Sequence, residues 1–544
     1  MNLLTAPWMP VRSREGRREW IAPSQLASPD FVAFDADRAD FNGALAQFAI
    51  GLLQTTAPVA KSSQWRALFK EPPPADTLAR WFAPVSQAFE FDGEGARFMQ
   101  DFSLKPQDAS PTDIAALLIE TPGENTLKNN VDHFVKRGRV QQMCPHCAAA
   151  ALFTLQVNAP AGGAGHRTGL RGGGPLTTLL QAGEDASLWQ HLWLNVIERE
   201  RFLPDDVADR TAPHFTFPWM ADVSAIQKEG GETAPVQTHP AHVFWAMPRR
   251  IRLDFTHTRS GLCDLCGRSA EALLSQYVTR NYGLNYKGPW NHPLSPYYLA
   301  DESWLPLHPQ PGGLGYRHWL AWVLGQTSER KQQRRARVVE HLLAYRPRTV
   351  PGALRLWTFG YDMDNMKARC WYESTLPLYG LGDLEPAAQA GIESVVARWL
   401  EGAELAGSYL RGAVKDAWFS ADARGDFSAV DAAFWSGTEA RFYRQLHDLV
   451  DSATASRPID PVTLNTEWLQ HLSTTARQLF DGQFVGAGMV ERQDTRRVAE
   501  AYQLLQRSLG GRKLRQALGL PVSDPPPKPA KASTRKSAHG GTPT

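Results

Sequence analysis

Two pairs of cysteines could do chemistry together. Cys144 and Cys147 form one CxxC motif, and Cys263 and Cys266 form a second. Four thiolates complete the tetrahedral shell of Zn²⁺ and leave no open position, so a site of this kind is structural rather than catalytic. We therefore expect the four cysteines to hold one structural zinc ion that ties two remote segments of the chain together.

Other interpretations of the cysteines stay open. The two pairs lie farther apart in the sequence than those of an ordinary zinc ribbon, and they could instead be reduced, partly buried thiols. His146 lies inside the first motif and could replace one cysteine ligand. Cys370 has no partner in the sequence, and we expect it to be a packed core thiol.

Carboxylates offer a second kind of metal site. The candidates are Asp362 with Asp364, and the adjacent Asp205 and Asp206. Two-metal nucleases need several convergent carboxylates, and no HD pair, HExxH, GxSxG or Walker motif accompanies these residues. The sequence therefore favours a protein with no catalytic residues. A zinc-stabilised, carboxylate-dependent nuclease or phosphoesterase using Asp362 and Asp364 is the alternative.

A glycine tract at residues 159–174 could bring the backbone close to a ligand. It lacks the GxxxxGK(S/T) pattern of a phosphate loop, so nucleotide binding is not expected. Glycines permit close approach to a DNA groove, and Arg167 and Arg171 could add phosphate contacts. A plain structural loop is the competing interpretation. A basic run at residues 330–337 is expected to form the exposed face of a helix.

Two kinds of sequence surround these residues. Up to about residue 370, strand-like runs alternate with loops rich in Gly and Pro, which indicates a large, irregular α+β domain. From about Leu384, apolar residues recur every three or four positions in four successive segments, as a four-helix bundle requires. We expect a zinc-containing N-terminal α+β domain at residues 1–375, a C-terminal four-helix bundle at 376–520 and a disordered tail at 521–544.

Composition narrows the class of protein. The chain has 544 residues, of which 43% are hydrophobic and 21% charged, as in a globular protein of two or more domains. No apolar run long enough for a membrane span is present. The N-terminus lacks a secretion signal, so we expect a cytoplasmic protein. A formal net charge of +2 is low for a stand-alone DNA-binding regulator, so any nucleic-acid contact must be local or shared with partners.

A series of short strings makes the sequence similar to one family, the CasA-type large subunits of the type I-E CRISPR surveillance complex (Cascade). The strings follow the family's order and cover nearly all of the chain except the tail. Besides the two CxxC pairs they are MNLL at residues 1–4, Trp8, PVR at 10–12, FMQ at 98–100, GLRGG at 169–173, HP at 292–293, SP at 295–296, FGY at 359–361 and FYRQ at 442–445. No single string is diagnostic, but the ordered series is specific.

This resemblance implies a non-catalytic subunit that recognises DNA. The family holds zinc with the matching cysteines and binds the protospacer-adjacent motif (PAM) of foreign DNA, largely from the minor groove. It starts strand separation so that guide RNA can pair, and it provides the platform for a helicase-nuclease. The implied partners are the other Cascade subunits, the CRISPR guide RNA, target double-stranded DNA and the helicase-nuclease, with no membrane.

The resemblance also places the residues that contact DNA. The family's glycine loop falls on Ala161, Gly162, Gly163 and Ala164. Its lysine finger falls near Asn281, preceded by Arg280. This sequence has no lysine there, so either Arg280 substitutes or the motif preference has changed. The family's glutamine wedge falls on Asn365, whose amide can still intrude below the last duplex pair.

A further loop, at residues 130–142, matches the family's segment that touches the RNA end and neighbouring subunits. The residues placed in this contact are His133, Phe134, Val135, Lys136 and Arg137. Basic residues beside an aromatic ring can grip phosphate and stack on a base. By composition alone, a short basic cluster of this kind is more often solvated surface.

Overall fold

The computed structural model describes residues 1–130, 138–163, 165–204, 210–327, 332–345, 350, 353–364, 367–381, 384–419, 425–486 and 494–522. The chain forms two compact units, one of Met1–Val396 with Asp426–Ile459 and the other of Ala397–Gly425 with Asp460–Thr544. The domain boundary at residue 375/376 stays a prediction. The disordered tail also stays a prediction, because residues 523–544 lie outside the described part of the chain.

The strands of the described residues are short and all lie in the first unit. They are β1 (Met9–Ser13), β2 (Arg18–Ile21), β3 (Phe31–Phe34), β4 (Pro111–Asp113), β5 (Thr177–Gln181), β6 (Arg250–Leu253), β7 (Arg259–Leu262), β8 (Ser269–Leu273), β9 (Gln276–Arg280), β10 (Tyr297–Ala300), β11 (Ser303–Pro306), β12 (Gln326–Thr327), β13 (Gln332–Arg334), β14 (Arg355–Asp364) and β15 (Lys367–Pro377).

These strands form small antiparallel sheets. Their orders are β2-β1-β3, β11-β10-β13-β12, β15-β14-β5, β4-β9-β6 and β7-β8. Antiparallel pairing needs only short connections, which explains why turns rich in Gly and Pro punctuate this part of the sequence. The predicted mixture of helices and strands is confirmed.

The helices before residue 350 lie between these strands along the sequence. They are α1 (Ala39–Thr56), α2 (Ser62–Lys70), α3 (Ala75–Phe82), α4 (Glu124–Lys128), α5 (Pro145–Asn158), α6 (Leu188–Trp193), α7 (Arg199–Phe202), α8 (Pro213–Thr216), α9 (Trp319–Val323) and α10 (Arg337–Tyr345). Short 3₁₀ turns occur between several of them. No helix among the residues described is long and apolar enough to cross a membrane.

The core of the first unit is built around α1, which is apolar on all faces and buried along most of its length. Its Phe48 is fully buried and meets other aromatic rings edge-on. These rings belong to Trp8, at 5.2 Å between centroids, and to Phe89, Phe98, Phe153 and Trp245, each at 5.7 Å. Edge-to-face pairs of this kind add about 0.5–1.5 kcal/mol each beyond the burial of their area.

The four segments with helical periodicity are helices, as predicted. They are α11 (Pro386–Trp418), α12 (Ser428–Thr454), α13 (Pro461–Leu479) and α14 (Thr495–Leu509), and α15 (Arg512–Ala517) follows. In the second unit, the indole of Trp468 donates to the carbonyl of Trp399 at 2.9 Å, and the indole of Trp399 donates to Asn465 Oδ1 at 2.8 Å. The assembly of these helices into a four-helix bundle stays a prediction.

The basic run at residues 330–337 does not form an exposed helical face, so that expectation is wrong for its described members. Arg334 lies on β13 with its guanidinium 4.7 Å from the ring centroids of both Tyr297 and Trp304. Arg337 opens α10 and lies 5.7 Å from the ring of Phe202. Guanidinium groups stack on aromatic faces, so these arginines serve packing within the first unit.

Candidate functional site

The four cysteines of the CxxC motifs meet in one cluster. Their Sγ atoms all lie within 4.8 Å of one another, and Cys144 Sγ is 3.8 Å from Cys266 Sγ. Tetrahedral coordination with Zn–S bonds of about 2.3 Å places sulfurs about 3.8 Å apart. Cys144, Cys147 and Cys263 are buried and Cys266 is half-buried. The geometry and the donor set therefore fit a single Zn²⁺ ion.

Two local structures present these cysteines. Cys144 caps the N-terminus of α5, where its sulfur accepts from the Cys147 N–H at 3.4 Å. Cys263 directly follows β7, and its sulfur accepts from the Cys144 N–H at 3.3 Å. Backbone N–H donors of this kind favour thiolates, the form that binds the metal.

Neither His146 nor Cys370 belongs to this cluster. The ring of His146 lies 5.7 Å from that of Trp20, and its burial lowers its pKa to about 4. His146 is absent from the metal-binding group that the structure forms. Cys370 is exposed on β15, so the expectation of a packed core thiol is wrong. On an antiparallel strand, alternate side chains face opposite sides, and Cys370 occupies the solvent side.

The alternative metal site at Asp362 and Asp364 does not converge. Asp362 is buried, and both of its carboxylate oxygens accept from Arg369, at 2.7 Å and 3.1 Å, while Asp364 is exposed. Asp205 and Asp206 lie outside the described residues. Within the described residues, the cysteines are the only group of three or more His, Cys, Asp or Glu side chains that could hold an ion. A bidentate arginine pair satisfies a carboxylate without any metal.

We expect the purified chain to leave double-stranded DNA intact in Mg²⁺ or Mn²⁺. Changing Asp362 and Asp364 to alanine together then removes no activity. Its effect is on the free energy of unfolding, which should fall by roughly 1–3 kcal/mol because Arg369 loses a charged partner. A gel assay for cleavage and a thermal melt measure the two outcomes. Metal-dependent cleavage that disappears in the double variant would establish the nuclease alternative.

The first part of the glycine tract forms a loop that is closed at its base and exposed at residues 161–163. The N–H of Gly169 donates to the carbonyl of Ala159 at 2.8 Å and joins the two ends of the loop. Ala161, Gly162 and Gly163 are exposed. Gly163 has φ +83°, and a Cβ built on it would meet no atom within 4 Å. Ala164 lies outside the described residues. The loop thus offers a bare edge of backbone to a ligand.

The segment around Asn281 lies against this loop, as a shared site requires. The N–H of Tyr282 donates to the carbonyl of Gly165 at 2.7 Å, and Arg280 and Asn281 are exposed. The guanidinium of Arg280 donates to the carbonyl of Asp108, with its Nη2 at 2.5 Å. Arg167 lies with its guanidinium 5.6 Å from the ring of Tyr282. Arg167 and Arg280 thus belong to the loop and to the segment that packs against it.

Arg171 is not available for phosphate, so that expectation is wrong. Its side chain is buried and donates to the hydroxyls of Thr177 and Ser295 at 2.9 Å each, and to Gln47 Oε1 at 2.5 Å. Burial lowers the pKa of Arg171 to about 10. Arg171 therefore anchors the second half of the glycine tract to the core through neutral acceptors, since buried polar groups need partners.

The proposed wedge follows a firmly held strand. Asn365 lies outside the described residues, but β14 and β15 pair along their length and Asp364 stands opposite Lys367. The hydroxyl of Tyr361 on β14 donates to Asp40 Oδ2 at 2.6 Å. Arg38 donates to Asp40 at 2.9 Å and to Glu120 at 2.7 Å. This partly buried chain of charge-assisted bonds fixes β14 to the start of α1.

The residues expected to contact RNA and neighbouring subunits are not described. His133, Phe134, Val135, Lys136 and Arg137 all lie outside the described residues. The chain that follows them is attached to the metal centre. Asp264, inside the second CxxC motif, accepts through Oδ2 from the N–H groups of Gln141 at 2.7 Å and Gln142 at 2.9 Å. The second CxxC motif thus fixes the backbone of Gln141 and Gln142, just before the first motif.

Sequence reasoning missed the residues that support the loop from within the fold. Arg249 and His166 bond to each other beneath the glycine loop at 2.6 Å, and Tyr282 pairs with Gly165. His166 lies inside the tract, yet a lone histidine carries no signal of its partner. Arg249 follows Met247 and Pro248 in an apolar stretch, and no motif marks it. Only the tertiary structure brings these residues together.

Comparison with known proteins agrees with this architecture. The family model of CRISPR-associated protein Cse1 matches residues 2–479. The crystal structure of CasA from Thermus thermophilus is similar at 17% identity, with a TM-score of 0.66 over 94% of this chain and 99% of that one. Cse1 from Acidimicrobium ferrooxidans is similar at 18% identity, with a TM-score of 0.63 over 95% of this chain and 98% of that one.

A chain of a CRISPR RNA-guided surveillance complex is also similar, at 15% identity and a TM-score of 0.64, over 94% of this chain and 99% of that one. At these identities, the structural likenesses show a shared fold. The family model adds sequence similarity over most of the chain, from residue 2 to residue 479. The chain therefore belongs to the family of CRISPR-associated protein Cse1, whose members include the proteins called CasA.

Proposed function

We propose that this chain is the large, non-catalytic subunit of a type I-E CRISPR RNA-guided surveillance complex. In that complex it recognises the PAM of foreign double-stranded DNA from the minor groove and promotes duplex opening and R-loop formation. It also provides the docking platform for the helicase-nuclease. Its partners are the other subunits, the guide RNA and the target DNA. The observation that carries the proposal is the bare backbone edge at Gly163, in a loop whose Gly165 packs against Asn281, within a chain of the Cse1 family.

The loop suits the minor groove for a physical reason. That groove is about 6 Å wide, so a backbone edge without side chains can approach its floor more closely than a side-chain-bearing one. The exposed Gly162 and Gly163 supply that edge. Minor-groove base edges offer few distinguishable patterns, so a reader of this kind accepts several related motifs. We propose that Arg167, in the loop, and Arg280, in the segment beside it, contact phosphates of the two strands.

The low net charge fits a subunit rather than an independent binder. Phosphate neutralisation supplies most of the affinity of a free-standing DNA-binding protein, and a net charge of +2 over 544 residues offers little of it. We propose that partner subunits and guide RNA complete the binding channel. A stand-alone regulator would instead bind its sequence tightly as the purified chain, which is the outcome that separates the two functions.

In this proposal the cysteine cluster contributes to nucleic-acid recognition indirectly, by holding segments of the chain in place. Cys144, Cys147, Cys263 and Cys266 would hold one Zn²⁺, which supplies cross-linking and no reaction chemistry when bound. Through Asp264 the cluster positions the segment that follows residues 133–137, which we propose contact guide RNA and neighbouring subunits. We also propose that helices α11 to α14 form a four-helix bundle within residues 376–520.

Asn365→Ala should slow R-loop formation about tenfold, because unstacking a base step costs a few kcal/mol that a wedge helps to offset. The measurement is stopped-flow fluorescence of 2-aminopurine placed in the target next to the PAM, with the assembled complex. Folding and assembly of the complex should be unchanged. Asn291→Ala is the control, since Asn291 is an exposed asparagine of the first unit, and it should open DNA at the wild-type rate.

A complex assembled without this chain sets the floor of the same assay. It should bind and open the matching duplex far more slowly than the complete complex. Equal rates with and without the chain would refute the proposed function as a whole. Equal rates for wild type and Asn365→Ala, with the floor well below both, would refute only the wedge.

A further inference from the structure

Arg249 lies beneath the glycine loop and touches both of its sides. Its Nη2 donates to the carbonyl of Pro160, where the loop begins. Its Nη1 donates to Nδ1 of His166, on the returning side, at 2.6 Å. A planar guanidinium with donors in a fixed fork can join two acceptors at a set separation. One side chain therefore spans the base of the loop.

The backbone of Arg249 is itself fixed. Its N–H donates to Gln156 Oε1 at 3.0 Å, and its carbonyl accepts from Gln156 Nε2 at 3.0 Å. The same amide nitrogen donates to the carbonyl of Met99 at 3.1 Å. Gln156 is fully buried on α5, the helix that starts at the cysteine cluster. The backbone of Arg249 is thus held by the core, and its guanidinium extends from there to the loop.

The loop is shaped around this contact. Gly162 has no side chain, and a Cβ built there would lie 2.6 Å from His166 Cβ and 3.0 Å from Arg249 Nη1. His166 must be neutral at Nδ1 to accept from Arg249, and its burial together with the charge of Arg249 lowers the pKa of His166. The N–H of His166 also donates to the carbonyl of Gly163 at 3.2 Å, so the residue that Arg249 holds is bonded directly to the exposed edge.

The guanidinium of Arg249 is positively charged and lies directly beneath the loop. Among the ion pairs of the described residues, no carboxylate pairs with its guanidinium, whose partners are a carbonyl and an imidazole. Burial lowers the pKa of Arg249 only to about 10, so it stays protonated at neutral pH. An uncompensated cation close behind an exposed backbone edge raises the local positive potential, which favours a polyanion at that edge.

We infer that Arg249, acting through His166 and Pro160, is the positioning residue that holds the glycine loop in the shape in which it reads the DNA minor groove. This inference rests on the proposed function of the loop. Arg249 and His166 do not contact the bases in this arrangement. They set selectivity by fixing Pro160 and His166, on either side of the exposed Gly162 and Gly163, because a backbone edge that is displaced by about 1 Å no longer matches the groove.

The test uses the assembled complex and a pool of target duplexes with randomised positions flanking the target. Selectivity is the ratio of binding to the preferred flank over the average flank. His166→Leu removes the acceptor and should lower selectivity about tenfold, the effect of losing one hydrogen bond to a charged group. His166→Asn places an amide oxygen near the position of Nδ1 and should keep selectivity within about threefold of wild type.

His239→Leu is the matched control. His239 is half-buried like His166, and its Nδ1 likewise accepts a single hydrogen bond, from the Ala241 N–H at 3.1 Å. It should leave selectivity unchanged. Should His166→Leu fail to fold, Arg249→Lys replaces it, because an ammonium keeps the charge but lacks the fork that spans Pro160 and His166. Arg249→Lys should then lower selectivity while complex assembly remains at the wild-type level.

Full selectivity in His166→Leu, or equal losses in His166→Leu and His166→Asn, would overturn the inference. A variant of the exposed edge keeps this failure distinct from failure of the proposed function. If Gly163→Asn lowers selectivity and His166→Leu does not, the loop reads DNA but does not depend on Arg249 for its position. If Gly163→Asn has no effect either, the loop does not read DNA, and the part of the proposed function that assigns minor-groove reading to this loop is itself wrong.

Discussion

Cys263→Ser is expected to lower zinc content and stability together. The sulfur of Cys263 belongs to the four-thiolate cluster and also accepts from the Cys144 N–H. Serine keeps the size of the side chain but is a poor zinc ligand, so the link between the start of α5 and the β7–β8 hairpin opens. Structural zinc contributes on the order of 10 kcal/mol in small model domains. Loss of one ligand here should lower the free energy of unfolding by about 4 kcal/mol, a size typical of substitutions that remove a bound metal.

Two measurements check this expectation on the same samples. Zinc is counted by inductively coupled plasma mass spectrometry, and stability is measured by urea unfolding with and without a chelator. Cys370→Ser is the control, since Cys370 is the exposed cysteine outside the cluster; it should change neither quantity. A Cys263→Ser protein that lacks zinc but unfolds at the wild-type urea concentration would refute a stabilising metal.

Gly163→Asn should cost at least a factor of about ten in affinity for target DNA in the assembled complex, equivalent to about 1.4 kcal/mol. Asparagine tolerates the left-handed region better than other side chains, so the φ of +83° can persist. Its amide would project into the open space beside the loop. If that space is where the groove floor approaches, the added atoms prevent close approach without disturbing the fold.

Gly16→Asn is the matched control for this substitution. Gly16 has φ +78°, and a Cβ built on it also meets nothing within 4 Å, but it lies in the β1–β2 turn. Its backbone strain is therefore comparable. Both variants should melt close to the wild-type temperature, and only Gly163→Asn should weaken DNA binding in a filter-binding or electrophoretic assay. Equal affinities for the two variants would contradict groove entry at Gly163.

The sequence was informative wherever one physical requirement dictates a pattern. Four cysteines in two CxxC pairs can meet only if two distant segments fold together, and the structure brings them within 4.8 Å. Apolar residues at steps of three and four produced the four long helices. Both inferences depend on local spacing and on one type of chemistry, which a single sequence displays.

The failures concern residues whose environment is decided by distant segments. The sequence predicted Arg171 and Arg334 to be surface cations. In the structure, Arg171 donates to Gln47 and Ser295. Arg334 stacks on the rings of Tyr297 and Trp304. Cys370 read as a core thiol, but the strand register turns it outward. The hydrogen bond between Arg249 and His166 joins residues that are 83 positions apart in the sequence. Charge and polarity are visible in a sequence, whereas the acceptor that satisfies them is not.

The aromatic hub around Phe48 has a consequence for how the protein is made. Its rings come from Trp8 at one end of the first unit and Trp245 far along the chain, so the core cannot close until the ribosome has released the later residue. At about 5–20 residues per second, synthesis of that stretch lasts on the order of ten to fifty seconds. Throughout that interval the nascent polypeptide carries unburied tryptophan and phenylalanine, and it is a natural client for a chaperone that shields them.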